Sequence, residues 1–132
     1  MTPEELQERT LAFALSVYRF VRPLLRDPTT RHVAQQLFRA STSLAANYRA
    51  ACLARSPREW VAKIGIVREE SDETQFWIIF AGRSEMCPDG QHELAALTNE
   101  SGQLARIFAA AYRTSRRGGH GRRRALRPQM DR

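Results

Sequence analysis

The chain has 132 residues, enough for one domain with a single hydrophobic core and too few for two. Its longest apolar run, FWIIFAG, is far shorter than the roughly 20 residues that cross a bilayer, so no membrane span is expected. The formal net charge of +7 suits an acidic partner such as nucleic acid, but eight arginines against one aspartate confine that charge to residues 113–132 and leave residues 1–112 neutral.

The first predicted helix begins at a capping box formed by Thr2 and Glu5, with Pro3 at the first helical position. Apolar residues then recur at three- and four-residue steps, the period of a helix with one buried face. A residue that precedes a proline is pushed out of the helical conformation. We therefore expect this helix to end at Asp27, which precedes Pro28.

Two more helices are predicted on either side of the RSPREW segment. The second helix runs from about Thr30 to Ala54 and has one apolar face. The third begins where Ser56 can cap the first turn and Glu59 can complete a capping box. Its apolar spacing continues to about Ala81.

A turn at Pro88 and Gly90 precedes a fourth predicted helix, whose apolar residues repeat every seven positions from Leu94. Residues 113–132 are rich in Gly and Arg, so we predict a disordered basic tail after a bundle of residues 1–112. Short connections favour an all-α fold, an antiparallel up-down-up-down four-helix bundle.

Self-association is predicted because the first and third helices carry apolar residues outside the main apolar face of each helix. These are Leu11, Leu15, Leu25, Val61, Phe76, Ile79 and Phe80.

The two cysteines, Cys52 and Cys87, have no CxxC spacing and no histidine at a zinc-site spacing. They fall near opposite ends of the third predicted helix, too far apart for a disulfide. Reduced thiols without a signal peptide predict a cytoplasmic protein.

An acidic cluster in REESDETQFW is the strongest candidate for chemistry in the chain. Its four acids, Glu69, Glu70, Asp72 and Glu73, crowd one stretch of helix, and like charges at such spacings destabilise a helix. A di-iron site is disfavoured because no Glu is followed three residues later by His. A structural polar seam and a solvated helix face are the two other interpretations.

The seam interpretation names partners across the second and third helices. In a hairpin that turns near Ser56, Arg39 lies opposite Glu73, Ser43 opposite Glu69, and Asn47 opposite Gly65. Such a seam can fix helix register, and removal of one partner would leave an unpaired buried charge. The predicted seam consists of Arg39, Ser43, Asn47, Glu69, Glu70 and Glu73.

Three stretches also resemble a known family. KIGIVREESDETQFW is similar to the third-helix signature of four-helix bundle proteins related to those encoded in intervening sequences of bacterial 23S ribosomal RNA genes. RASTSLAANYRAACLARSPREW and ELAALTNESGQLARIFAAAYRTSRR resemble the second and closing helices of that family. One departure is that Arg49-Ala50-Ala51 replaces the family's Ala-Glu-Gly.

The resemblance implies a homopentamer with no known enzymatic activity. A related branch, the accessory protein of diversity-generating retroelements, is a basic pentamer that binds a reverse transcriptase and nucleic acid. The expected partners are thus further copies of the chain, RNA or DNA, and a protein such as a reverse transcriptase. No membrane partner is expected.

Three functions remain open from the residues. The first is a non-enzymatic oligomer that binds nucleic acid through basic residues, because the planar guanidinium suits phosphate. The alternative for the tail is a solvated chain end whose arginines reflect the overall composition and bind nothing. The second is a scaffold that docks a partner protein. An enzyme is disfavoured, because no serine has a His/Asp pair in the sequence pattern and no glycine-rich phosphate loop exists; no catalytic residue, metal ligand or cofactor is expected. The candidate nucleic-acid contacts are Arg49, Arg55, Arg58, Arg113, Arg116, Arg117, Arg122, Arg123, Arg124 and Arg127.

Overall fold

The structure, a computed structural model, describes residues 1–117. Within this part of the chain there are four α-helices and no strand, which confirms the predicted all-α fold. The helices are α1 (Pro3–Val21), α2 (Arg31–Cys52), α3 (Pro57–Arg83) and α4 (Gln91–Arg117), and 3-10 turns occupy Pro23–Arg26 and Pro88–Gly90. Packing is most extensive between α2 and α3, followed by α3 with α4 and α1 with α2.

Helix α1 begins as predicted and ends earlier. The Thr2 hydroxyl accepts a hydrogen bond from the Glu5 N–H at 3.0 Å, and the Glu5 carboxylate accepts from the Thr2 N–H at 2.9 Å. The helix ends at Val21 rather than Asp27. Pro23 has no N–H to donate to the preceding turn, and the chain tightens there into a 3-10 turn.

The core is built from the apolar stripes of all four helices, joined by small hydroxyl residues. The Thr74 hydroxyl is satisfied within α3, where it donates to the Glu70 carbonyl at 2.7 Å. The buried Ser71 and Ser101 hydroxyls have no hydrogen-bond partner among residues 1–117. The large core side chains include Phe13, Val17, Leu37, Leu44, Ile64, Val67, Leu97, Leu104 and Phe108.

Most of the apolar residues predicted to lie outside the core are on the surface. Leu11, Leu15, Phe76, Ile79 and Phe80 are between 43% and 55% exposed. The other two, Leu25 and Val61, are half-buried against the core instead. No helix within residues 1–117 has both the length and the apolar character needed to cross a membrane.

Candidate nucleic-acid interface and polar seam

Arg39 of α2 contacts two glutamates of α3. Its Nη1 lies 2.9 Å from Oε2 of Glu70, and its Nη2 lies 3.4 Å from Oε1 of the same carboxylate. The Glu73 carboxylate also contacts Nη2 of Arg39. Glu70 and Glu73 are three residues apart on one helix, so both can reach a single guanidinium.

This ion-pair group lies at the edge of the α2–α3 contact. The Arg39 side chain is 49% exposed and that of Glu73 is 40% exposed, whereas Glu70 is only 15% exposed. The neighbouring positions Leu37 and Ala40 take the buried side of α2. Water therefore screens Arg39, and the energetic cost of removing a partner is smaller than for a fully buried charge.

The other seam candidates do not join this group. Asn47 donates from Nδ2 to the carbonyl and hydroxyl oxygens of Ser43 at 2.9 and 3.0 Å, so these two residues pair along α2 itself. Glu69 is exposed. A Cβ on Gly65 would lie 3.1 Å from the Tyr112 ring, so this position faces α4 rather than Asn47.

The acidic cluster has no companion ligands for a metal ion. Across residues 1–117 there is no group of three or more His, Cys, Asp or Glu side chains placed to hold one. Asp72 and Glu69 point outward as exposed charges. The cluster is therefore divided between an arginine partner and solvent.

A buried hydrogen bond joins the start of α3 to the end of α4. The indole Nε1 of Trp60 donates to the hydroxyl of Ser115 at 2.9 Å, and these two residues are 4% and 0% exposed. Helix α4 thus includes the first part of the segment predicted as a tail, up to Arg117. Because Trp60 and Ser115 are 55 residues apart, no local sequence pattern indicates this contact.

The hydrogen bond brings five candidate arginines to one end of the bundle. All five are exposed. Their charges are opposed by Glu59, whose carboxylate lies 3.6 Å from the Arg55 guanidinium. We refer to this group as the basic end, which consists of Arg55, Arg58, Arg113, Arg116 and Arg117.

Tyr112 fixes two guanidinium groups beside the basic end. The guanidinium carbon of Arg68 lies 5.1 Å from the centre of the Tyr112 ring, and that of Arg116 lies 5.6 Å from it. Both distances allow a cation–π interaction. The sequence could have indicated the pair of Tyr112 and Arg116, which are one helical turn apart, whereas Arg68 was missed because it lies on another helix.

Arg49, the remaining described candidate, lies in a different environment. It lines a groove of about 420 Å³ between α1 and α2, together with Glu4 and Glu8. These carboxylates reduce the positive potential that a phosphate would meet there. Arg122, Arg123, Arg124 and Arg127 lie outside the described residues.

Two further polar features were not predicted. Arg9 forms a two-pronged ion pair with Glu100 of α4, with both N···O distances at 2.7 Å, and this hydrogen bonding raises the pKa of Arg9. At the end of α2, Tyr48 packs against Phe108 with the ring centres 5.3 Å apart. Burial raises the pKa of the Tyr48 hydroxyl well above its usual range.

Comparison with known proteins identifies similar sequences and folds. The sequence model of the 23S rRNA-intervening sequence protein family matches residues 4–110. The chain is also similar to a crystal structure of a protein of unknown function from the S23 ribosomal protein family of Bacteroides thetaiotaomicron VPI-5482, with a TM-score of 0.76 and 23% identity over 86% of this chain and 100% of that one. At 23% identity the structural similarity shows a shared fold and does not show a shared function. No curated protein matches the chain significantly.

Proposed function

The chain belongs to the family of 23S rRNA-intervening sequence proteins, and we propose that it is a non-enzymatic, self-associating four-helix bundle that binds RNA or DNA through its basic end. The observation that carries this proposal is the hydrogen bond between Trp60 and Ser115. It supports a single site, because it holds arginines from two helices beside the point where the Arg-rich segment begins.

The basic end has the chemistry of a phosphate-binding surface. Its five arginines are exposed, and Arg55 with Glu59 is the one ion pair that any of them forms within residues 1–117. Arginine forks bind phosphate oxygens in pairs. Residues 118–132 would add five arginines against one aspartate, which strengthens attraction to a polyanion.

The Tyr112 stack supports a defined contact within this surface. The ring holds Arg68 and Arg116 in place, so less side-chain entropy is lost when their guanidinium groups meet phosphate. Backbone phosphate contacts carry no sequence information. The proposed binding is therefore tolerant of nucleic-acid sequence and strongly dependent on salt.

The proposal includes the antiparallel order of the helices and their assembly into a homopentamer. The antiparallel order is supported by Trp60 at the start of α3 contacting Ser115 at the end of α4, and by Gly82 at the end of α3 lying near Leu94 at the start of α4. Self-association is supported by the exposed apolar side chains of α1 and α3. A reverse transcriptase as protein partner and a cytoplasmic location remain predictions.

The test compares two double variants of the full chain that remove equal charge from opposite ends. In the first, Arg116 and Arg117 become Gln. In the control, Arg26 and Arg31 become Gln; both are exposed and lie around the start of α2, far from the basic end. Binding is measured by fluorescence anisotropy with labelled single-stranded RNA, single-stranded DNA and duplex DNA, at about 50 to about 200 mM salt.

We expect the basic-end variant to bind more weakly than the control and to lower the slope of log affinity against log salt by about one per lost phosphate contact. Equal loss in both variants would show that net charge, and not the basic end, controls binding. No binding by the unmodified chain would refute the nucleic-acid function and favour the alternative, a scaffold that docks a partner protein. Substituting Arg122, Arg123, Arg124 and Arg127 by Gln measures the contribution of the remaining candidates.

A further inference from the structure

Two apolar surfaces remain uncovered within residues 1–117. The first, the α1 face, consists of Leu11, Leu15 and Tyr18, which are 47%, 43% and 40% exposed. Their spacing of four and three residues puts them on one side of α1. The second, the α3 patch, consists of Phe76, Ile79 and Phe80, with 55%, 48% and 46% exposure.

The two surfaces differ in shape. The α1 face continues through Leu11 into the groove between α1 and α2, where small side chains line the part beside it, namely Ala14, Thr42, Ala45 and Ala46. The α3 patch instead presents two phenylalanine rings, which pack beside Trp77 with ring centres 4.9 and 6.0 Å away. Protruding rings fit a groove lined by small residues better than they fit one another.

The charged residues that flank the two surfaces occur in the same order along their helices, with an acidic residue before the apolar residues and a basic residue after them. Along α1, Glu8 precedes the apolar residues and Arg22 follows them, and along α3, Glu69 precedes and Arg83 follows over an equal length of helix. These four side chains are exposed, and none of them has an ion-pair partner within residues 1–117. Two helices with this order attract each other when they run in opposite directions.

One antiparallel register satisfies the apolar and charged positions together. Leu15 then lies opposite Phe76 at the centre, and Leu11 lies opposite Phe80. The oppositely charged pairs fall on both sides of this centre. They are Glu8 with Arg83, Arg19 with Asp72, and Arg22 with Glu69.

We propose that the α1 face of one copy packs antiparallel on the α3 patch of a second copy, in this register. The inference rests on the proposed self-association and specifies the surfaces that carry it. Such a contact joins two different surfaces, so every added copy covers one of each kind, whereas a symmetric contact through either surface leaves the other exposed. Tyr18 of the α1 face contacts Phe38 of α2, and Trp77, which packs beside the α3 patch, contacts His32 of α2. A contact between two different surfaces forms a closed ring when the rotation between successive copies closes, and an open chain of copies when it does not.

The test uses one charged substitution in each surface. Leu15→Glu disrupts the α1 face, and Phe80→Glu disrupts the α3 patch. Each new glutamate has an arginine three or four residues further along its helix, so the helix itself tolerates it. The control is Ile66→Glu, because Ile66 is 42% exposed on α3 outside the patch; with Glu69 and Glu70 three and four residues further along, it is the more demanding substitution for the helix itself. Mass is measured by size exclusion with light scattering at micromolar concentration, without nucleic acid, and folding is checked by circular dichroism.

We expect the unmodified chain and Ile66→Glu to be oligomers, and Leu15→Glu and Phe80→Glu each to be monomers. An equal mixture of the two disrupted variants should form a dimer with one copy of each, because each contributes the surface that the other lacks. A dimer of Phe80→Glu alone would indicate a symmetric α1 contact, and a dimer of Leu15→Glu alone a symmetric α3 contact; either result overturns the proposal. If both Leu15→Glu and Phe80→Glu keep the mass of the unmodified chain, the copies associate through other surfaces and the proposal is wrong. A monomeric unmodified chain would instead refute the proposed self-association itself.

Discussion

Replacing Arg39 tests whether the ion pairs between α2 and α3 stabilise the bundle. The substitution Arg39→Met keeps most of the aliphatic stem and removes the guanidinium, and Glu70→Gln and Glu73→Gln remove one carboxylate charge each. Each pair of substitutions forms a double-mutant cycle, which isolates the energy of that pair from other effects.

The expected magnitudes follow from the exposure of the three side chains. An exposed ion pair contributes about 0.2 to about 1 kcal/mol, and the value is higher when the geometry is two-pronged. Glu70 is 15% exposed and meets Arg39 with two N···O contacts at 2.9 and 3.4 Å. We expect a coupling of about 1 kcal/mol for Arg39 with Glu70 and about 0.5 kcal/mol for Arg39 with Glu73, because Glu73 is 40% exposed.

The assay is equilibrium unfolding in urea at neutral pH, at low salt and again in about 1 M sodium chloride, where screening acts over about 3 Å. The Glu73 coupling should fall more with salt than the Glu70 coupling, because water and ions reach it more readily. An Arg39–Glu70 coupling below about 0.3 kcal/mol, or an Arg39–Glu73 coupling larger than that of Arg39 with Glu70, would show that exposure does not set the strength of these ion pairs.

Three further predictions concern the cap, the core and alkaline pH. Thr2→Ala removes the capping box of α1 and should lower the free energy of unfolding by about 1 kcal/mol in urea titrations, whereas Thr2→Ser should be nearly neutral. Leu104→Ala creates a cavity at a fully buried site and should cost about 2 to about 5 kcal/mol, while Leu53→Ala, at 74% exposure, should change the unfolding midpoint little. Because burial raises the pKa of Tyr48, the folded chain keeps a proton that the unfolded chain loses above about pH 10. Burial also raises the pKa of the Cys87 thiol, so the test is made in a Cys87→Ala background. There the free energy of unfolding should fall by up to about 1.4 kcal/mol per pH unit above about pH 10, and Tyr48→Phe should reduce this slope in urea titrations between about pH 9 and about pH 11; an unchanged slope would show that Tyr48 is not its source.

The helix ends show which boundaries can be predicted from neighbouring residues. Thr2 and Glu5 satisfy each other's N–H groups within one turn, so the start of α1 is readable from four consecutive residues. The Ser56 hydroxyl caps α3 by accepting from the Glu59 N–H, but the predicted capping box is not completed, because the Glu59 carboxylate lies 3.6 Å from the Arg55 guanidinium instead. Helix α1 ends before the predicted position at Asp27 because the first proline that interrupts it is Pro23, which begins the 3-10 turn, and not Pro28.

The surface contacts required the packed structure. In a helical hairpin, the spacing along the sequence places Arg39 level with Glu73. The exposure of the Arg39 side chain depends on the rotation of each helix about its axis, which the spacing does not determine. The stack of Arg68 on Tyr112 has a similar origin, because it joins residues of two helices that no local pattern connects.

The amino-acid sequence alone indicates the four helices and their apolar stripes, the family, and the concentration of charge after residue 112. The helices and their stripes depend on local hydrogen bonding and on helical period, which act between neighbours in the chain. The packed structure was needed to show that Ser115 is buried against Trp60, that α4 continues to Arg117, and that arginines from two helices share one end. These features depend on contacts between distant residues, whose geometry is fixed when the helices pack.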